Sequence, residues 1–211
     1  MNAYDVEWYG NEETRMQEKV ILTDCDGVLL DWEYAFGRWM ARHGYEVKVE
    51  GVYKMDVKYG LPRQASKALV RMFNESASIR KIPPLRDAIK YVRKLHEEHG
   101  YVFHAITSQT DDEYAQHLRI KNLCELFGPS TFEKYVILDC GADKDEALAE
   151  YKNTNCFWIE DKVENALVGE TMGLRSILMA HGFNENQEEW ADSEIIRVQD
   201  WRELYDVITG Y

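Results

Sequence analysis

Four short stretches of this chain carry residues able to do chemistry together. They are Asp24-Cys25-Asp26-Gly27, Thr107-Ser108, Lys144 and Glu160-Asp161. Three or four carboxylates that converge cannot all stay ionised without a cation among them. Oxygen donors around a hard ion point to Mg²⁺, which takes one or two carboxylates and keeps water or phosphate oxygens for its other positions. A phosphoryl group needs its charge spread, and Mg²⁺, Lys144, the Thr107 hydroxyl and backbone N–H groups are suited to that. One carboxylate can then attack phosphorus to form an aspartyl-phosphate. A second can protonate the leaving oxygen and later activate water. Asp24 and Asp26, two residues apart across a turn, can point in different directions. Gly27 lets the backbone turn tightly beside a phosphate.

Each piece alone has a plainer explanation. Asp-x-Asp after an apolar run is common by chance. Thr107-Ser108 can serve a nearby helix start, Lys144 can be solvated, and Glu160-Asp161 can complement a helix dipole. Their chain order and shared location give them weight.

The elements around them set that location. Val20-Ile21-Leu22-Thr23 reads as a strand buried on both faces. Helices are expected over 32–43, 62–74 and 85–99, with Gly44 and Gly100 as stops. Then come strand 101–106, helix 111–126, strand 135–138, helix 145–151, strand 156–159, helix 163–172, strand 175–179 and a last helix near 201–208. Residues 45–61 are mixed and 183–194 are polar. Alternation of this kind predicts an α/β, doubly wound parallel sheet. Such sheets bind ligands at the carboxyl ends of their strands, where the four stretches stand. The first crossover is too long for one helix. It predicts a small helical cap over 30–85, inserted into a core made of 1–29 and 86–211.

In order and content the four stretches resemble the motifs of the haloacid dehalogenase superfamily, whose phosphatases carry D-x-D-G, a Thr/Ser, a Lys and an acidic pair. The resemblance runs through Asp24-Cys25-Asp26-Gly27-Val28, Ile106-Thr107-Ser108, Lys144 and Ile159-Glu160-Asp161. It implies a HAD-like Rossmannoid core with an inserted cap, Asp24 as nucleophile and Asp26 as acid and base. It implies Thr107 and Lys144 as phosphate binders, with Gly27 and Ser108 beside the substrate. Mg²⁺ would be held by Asp24, Asp161 and the main-chain carbonyl of Asp26, with Glu160 behind them. The second aspartate favours phosphate chemistry over dehalogenation. The chain is also similar to the 5′(3′)-deoxyribonucleotidases in DCDGVLLDW over Asp24 to Trp32, in Phe127-Gly128-Pro129 and in the small cap, although Gln109 stands where that group often has proline. This implies nucleoside monophosphates as substrates.

Other residues carry double readings. Trp32, Phe36 and Trp39 fall on one helical face and suit either a core or a nucleobase stack; Tyr34, Tyr45, Tyr53 and Tyr59 are similarly open. His104 reads as a satisfied buried histidine, and Arg80, Lys81 and Arg86 as a solvated face near the cap hinge.

The 211 residues include 38 acidic and 25 basic side chains, a net charge of −13. That repels nucleic-acid polymers at long range but not a small phosphorylated ligand held by a cation. Cys25, Cys124, Cys140 and Cys156 form no C-x-x-C pair, which fits reduced thiols in a cytoplasm. Met1 to Glu18 lacks an apolar signal region, and no apolar run is long enough to span a membrane. The readings that compete with a nucleotidase are a phosphatase or phosphomutase of another small metabolite, a receiver-like domain that keeps its phosphoaspartate, and a catalytically silent interaction module. A homodimer is compatible with the sequence.

Overall fold

A computed structural model describes residues 19–186 and 190–210. The stretch Met1 to Glu18, read above as lacking a signal region, lies outside the described residues.

Six parallel strands form one sheet in the order β3-β2-β1-β4-β5-β6. They are β1 (Val20–Thr23), β2 (Val102–Ser108), β3 (Phe132–Leu138), β4 (Phe157–Glu160), β5 (Arg175–Met179) and β6 (Ile196–Val198). β1 lies at the centre, pairing Ile21 with Phe103 on one side and with Phe157 on the other. All four of its residues are buried. Its side chains alternate between two cores, because successive side chains point to opposite faces. Ile21 joins Phe103, Ile159 and Ile177, while Val20 and Leu22 join Ile106 and Trp158. A strand covered on both faces loses its polar positions, which is why this run is continuously apolar.

Helices cover both faces. Against the first pack α4 (Ala88–Arg93), α5 (Glu113–Phe127) and α8 (Trp201–Thr209), through Val92, Leu123, Phe127, Leu204 and Ile208. Against the second pack α6 (Asp145–Ala149) and α7 (Val163–Thr171), through Leu148 and Val168. The chain departs from the sequence expectations in three places. β3 begins at Phe132, not Tyr135; as an edge strand paired only with β2, it tolerates the polar Glu133 and Lys134. β6 is three residues long and lies between the polar stretch 183–194 and the last helix, where no strand is expected from the sequence. The helix expected over 85–99 starts later, after a left-handed Asp87 (φ 63°), and its last turn, Lys94–Glu98, is a π-helix.

Between β1 and β2 run α1 (Trp32–Arg42), α2 (Met55–Tyr59), α3 (Arg63–Asn74) and a 3₁₀ turn, Ala77–Lys81. They share an aromatic cluster. Phe36 stacks on Trp32 at 4.7 Å and meets the edges of Phe73 at 5.4 Å and Tyr59 at 5.9 Å. The ends of this segment are tied together: Asp31 N–H donates to the Pro83 carbonyl at 2.9 Å, and Leu85 N–H to that of Leu29 at 2.8 Å. Trp201 then anchors the entry by donating from its indole to the Val28 carbonyl at 2.8 Å.

Candidate active site

The strand order reverses direction at β1, which has β2 and β3 on one side and β4 to β6 on the other. The crevice at that switch point lies between the ends of β1 and β4. Asp24 follows β1 directly, and Glu160 and Asp161 stand at the end of β4. Thr107 and Ser108 end β2, and Lys144 immediately precedes α6. All of them, together with Asp26 and Gly27, line one cavity of about 910 Å³. Its opposite wall comes from the segment between β1 and β2 and includes Trp32, Tyr53 and Tyr59. The structure thus brings together every site residue that the sequence singled out.

Lys144 is the hub. Its buried ammonium lies 3.0 Å from Asp24 Oδ2 and 3.2 Å from Glu160 Oε2. Burial alone would lower its pKa, but the charges of Asp24 and Glu160 outweigh that and hold it above its ordinary value. Glu160 has no exposed surface and also accepts from Asn165 Nδ2, so its oxygens are occupied by protein donors. Burial, and then the charge of Asp24, push the carboxyl groups of both Glu160 and Asp161 well above the usual carboxylate range. The surroundings therefore ask for more positive charge than Lys144 supplies.

The donor set fits a hard divalent ion. Asp24, Glu160 and Asp161 each offer a carboxylate oxygen, all within 4.8 Å of one another. Glu160 is engaged by Lys144 and Asn165, and Asp24 by Lys144 and by the Cys25 N–H (2.7 Å to Oδ1), so a cation here would share these carboxylates with protein donors.

Gly27 makes room for this arrangement. Its φ is +80°, and a Cβ added there would lie 2.1 Å from Asp161 Oδ2. Its N–H donates to Leu30 at 2.9 Å, and its carbonyl accepts from His181 Nε2 at 2.7 Å. Gly27 therefore contributes space, and its N–H is committed within the turn. Ser108 Oγ donates to the Ala142 carbonyl at 2.9 Å, tying β2 to the loop that carries Lys144. Thr107 differs. Its hydroxyl is buried and has no hydrogen-bond partner among the described residues. A buried hydroxyl left unpaired costs about 1–3 kcal/mol, and an oxygen-rich ligand in this cavity would satisfy it.

Asp26 meets a residue that sequence reasoning passed over. The guanidinium of Arg119, buried in α5, grips both its oxygens: Nη1 donates to Oδ1, and Nη2 to Oδ2 at 3.1 Å. Burial raises the Asp26 carboxyl above its usual range, with Arg119 opposing. One signal was available. Ala115, Leu118, Arg119, Asn122 and Leu123 share the buried side of α5, so a charged residue stands on a core stripe. Asn165, His181 and Asn184 were also missed. Asn184 donates to the carbonyls of Asp161 (2.8 Å) and Met179 (2.7 Å), fixing the loop after β4 against β5.

Other expectations resolve. Phe36 and Trp39 are core residues, while Trp32 is half-buried, lines the cavity and donates to Asn74 Oδ1 at 3.0 Å. Asn74 donates to the Gln109 carbonyl at 3.0 Å, and Gln109 Nε2 returns a bond to the Asn74 carbonyl at 3.1 Å, clasping α3 to the loop after β2. His104 is buried and bonded to the Tyr151 hydroxyl at 2.8 Å. Arg80 pairs with Glu125, Lys81 and Arg86 are exposed, and none of the three lines the cavity. Cys25 and Cys156 pack in the core, and burial pushes the Cys25 thiol up to about 12, so it is inert beside the two aspartates.

Solved structures share this architecture. A haloacid dehalogenase-like family hydrolase from Streptococcus pneumoniae superposes with a TM-score of 0.64 at 15% identity, covering 91% of this chain and 99% of its own. A HAD family hydrolase from Deinococcus radiodurans R1 with bound phosphate and sodium gives 0.59 at 17% identity, over 92% and 95%. CbbY from Rhodobacter sphaeroides, in complex with phosphate, gives 0.56 at 17%, over 88% and 96%. The chain has a haloacid dehalogenase-like fold. At these identities the likeness concerns architecture alone. No family model matches the sequence. An uncharacterized 32.4 kDa protein of Enterobacteria phage T4, in the Gp30-rIII intergenic region, is 28% identical over 197 residues, which is 87% of this chain and 67% of that protein. Among the described residues, no helix is long and apolar enough to cross a membrane.

Proposed function

We propose that this chain is a phosphatase that attacks the phosphorus of a small phosphate ester with the Asp24 carboxylate. One observation carries the reading. A buried lysine 3.0 Å from Asp24 shares its cavity with a buried hydroxyl, Thr107, that has no hydrogen-bond partner among the described residues, an arrangement suited to a phosphoryl group.

In this scheme an Asp24 oxygen forms a bond to phosphorus while the ester P–O bond breaks. Asp26 gives its proton to the leaving oxygen. It then takes a proton from water as that water attacks the aspartyl-phosphate, releasing phosphate and restoring Asp24. Lys144 holds Asp24 in line and neutralises charge on the transferred group, and the Thr107 hydroxyl donates to a phosphoryl oxygen. Mg²⁺, held by Asp24, Asp161 and the Asp26 carbonyl with Glu160 behind them, would supply further charge neutralisation for the phosphoryl oxygens.

For the substrate we propose a nucleoside monophosphate. The cavity is within the size range of small-molecule sites. Its far wall carries Trp32 and Tyr53, the latter 47% exposed and edge-on to Phe183 at 5.0 Å. Aromatic rings lining such a wall suit stacking on a base, with one face of Trp32 taken by Phe36 and Lys162 Nζ standing 5.4 Å over the Tyr53 ring. The segment 30–85 acts as the cap that selects the substrate, its clasp being the Asn74–Gln109 pair. A panel of ribo- and deoxyribonucleoside 5′- and 3′-monophosphates and sugar phosphates, assayed for phosphate release with Mg²⁺, tests this. Preference for nucleotides supports it; equal or better turnover of sugar phosphates refutes the nucleotide assignment and leaves the phosphatase chemistry standing.

A further inference from the structure

We infer that Arg119 is the positioning residue of Asp26: it holds the carboxyl group in the orientation from which it passes a proton to the leaving oxygen and later takes one from water. The inference rests on the reading that Asp26 serves as acid and base.

Arg119 is fully buried within α5 and does not line the cavity, so it cannot touch substrate. Both its terminal nitrogens are spent on Asp26, Nη1 to Oδ1 and Nη2 to Oδ2, in a two-point fork that fixes the plane of the carboxylate. Its Nε has no partner among the described residues, so the side chain serves nothing else that competes with this contact. Stability alone does not explain it. A buried ion pair is commonly no better than apolar side chains of the same volume, and the neighbouring buried positions Leu118 and Leu123 are apolar. Asp26 itself keeps 21% of its side chain accessible and faces the cavity. One end of the pair is locked in the core and the other is presented to the ligand. Asp26 follows Cys25 in a tight turn and, without the fork, would be free to change rotamer. General acid–base catalysis depends on the group standing within hydrogen-bond reach of the proton it moves.

The test is a double-mutant cycle on the full chain, with Asp26→Asn, Arg119→Met and both together. Each is assayed with Mg²⁺ on p-nitrophenyl phosphate, whose leaving group needs no proton, and on an alkyl phosphate, whose leaving group does. In the first turnover, read as release of the alcohol or nitrophenol, we expect Arg119→Met to lose about 10²-fold on the alkyl ester, within the range of general acid catalysis, and only a few-fold on the nitrophenyl ester. The later attack of water on the aspartyl-phosphate, which also uses Asp26, slows for both. In the Asp26→Asn background it should add no further loss. Arg119→Lys keeps a buried cation without the fork, so it guards against misfolding and should show the same selective loss at smaller amplitude. Equal losses on both esters in that first turnover, or a full Arg119→Met penalty on top of Asp26→Asn, would overturn the inference while leaving the phosphatase reading intact. Absence of turnover in the unmodified chain would overturn both.

Discussion

The ammonium of Lys144 lies 3.0 Å from Asp24 Oδ2, and both groups are buried and line the same cavity. Lys144 also neutralises Glu160, so it is a structural charge as well as a catalytic one in the proposed chemistry. Removing it strands buried carboxylates, which costs about 3–5 kcal/mol. Lys144→Met should therefore lower stability in chemical denaturation by about that amount, and turnover by more than about 10²-fold. Adding Glu160→Gln should recover part of the stability and none of the activity. A Lys144→Met protein as stable as the parent would contradict the charge arrangement described.

The carboxylates of Asp24 and Asp161 also predict a stability response to metal. A cation bound only by the native state stabilises it by RT ln(1 + [L]/Kd), about 2.7 kcal/mol at one hundred times Kd. Mg²⁺ should raise the melting temperature of the parent, and Asp161→Asn should abolish most of that rise. An identical rise in both proteins would place the ion elsewhere.

Gly27→Ala probes the space beside Asp161. The added methyl would stand 2.1 Å from Asp161 Oδ2 on a backbone at φ +80°. The left-handed conformation alone costs a non-glycine residue about 1–2 kcal/mol, and Asp161 must also move. We expect loss of stability together with weakened Mg²⁺ dependence, read by titrating Mg²⁺ in the turnover assay. Unchanged metal affinity in a folded Gly27→Ala protein would separate Gly27 from the site.

His104 predicts a pH dependence remote from the chemistry. Burial lowers its pKa from 6.5, with Glu133 opposing. The unfolded chain therefore binds the proton more readily than the folded one. The stability this neutral histidine contributes is fully present above pH 6.5 and is lost as pH falls from there through the lower folded value. His104→Gln should flatten the stability profile across that interval, measured by denaturant midpoints. An unaltered slope would show that another group carries it.

The legible parts of this molecule were those where sequence position alone determines placement. Asp24, Thr107 and Glu160-Asp161 stand at the ends of apolar runs, so naming the strands named the crevice. Lys144 was legible through its order among them. Arg119 was not, because its role depends on which face of α5 turns inward, and that depends on tertiary packing. The aromatic residues of α1 split for the same reason. Phe36 and Trp39 went to the core, and Trp32 to the cavity wall, although all three share one helical stripe. β6 escaped because Ile196-Arg197-Val198 is too short to show alternation, and β3 was shortened because an edge strand tolerates charge. Gln109, where the deoxyribonucleotidases often have proline, is held by its bonds to Asn74.

The central claim is that the Asp24 carboxylate attacks phosphorus, and its most direct test is phosphate release by Asp24→Asn beside the parent, with Mg²⁺ and both folds verified. The account predicts Mg²⁺-dependent release by the parent and essentially none by the variant on every ester in the panel. More than a few per cent of the parent rate in folded Asp24→Asn would contradict it.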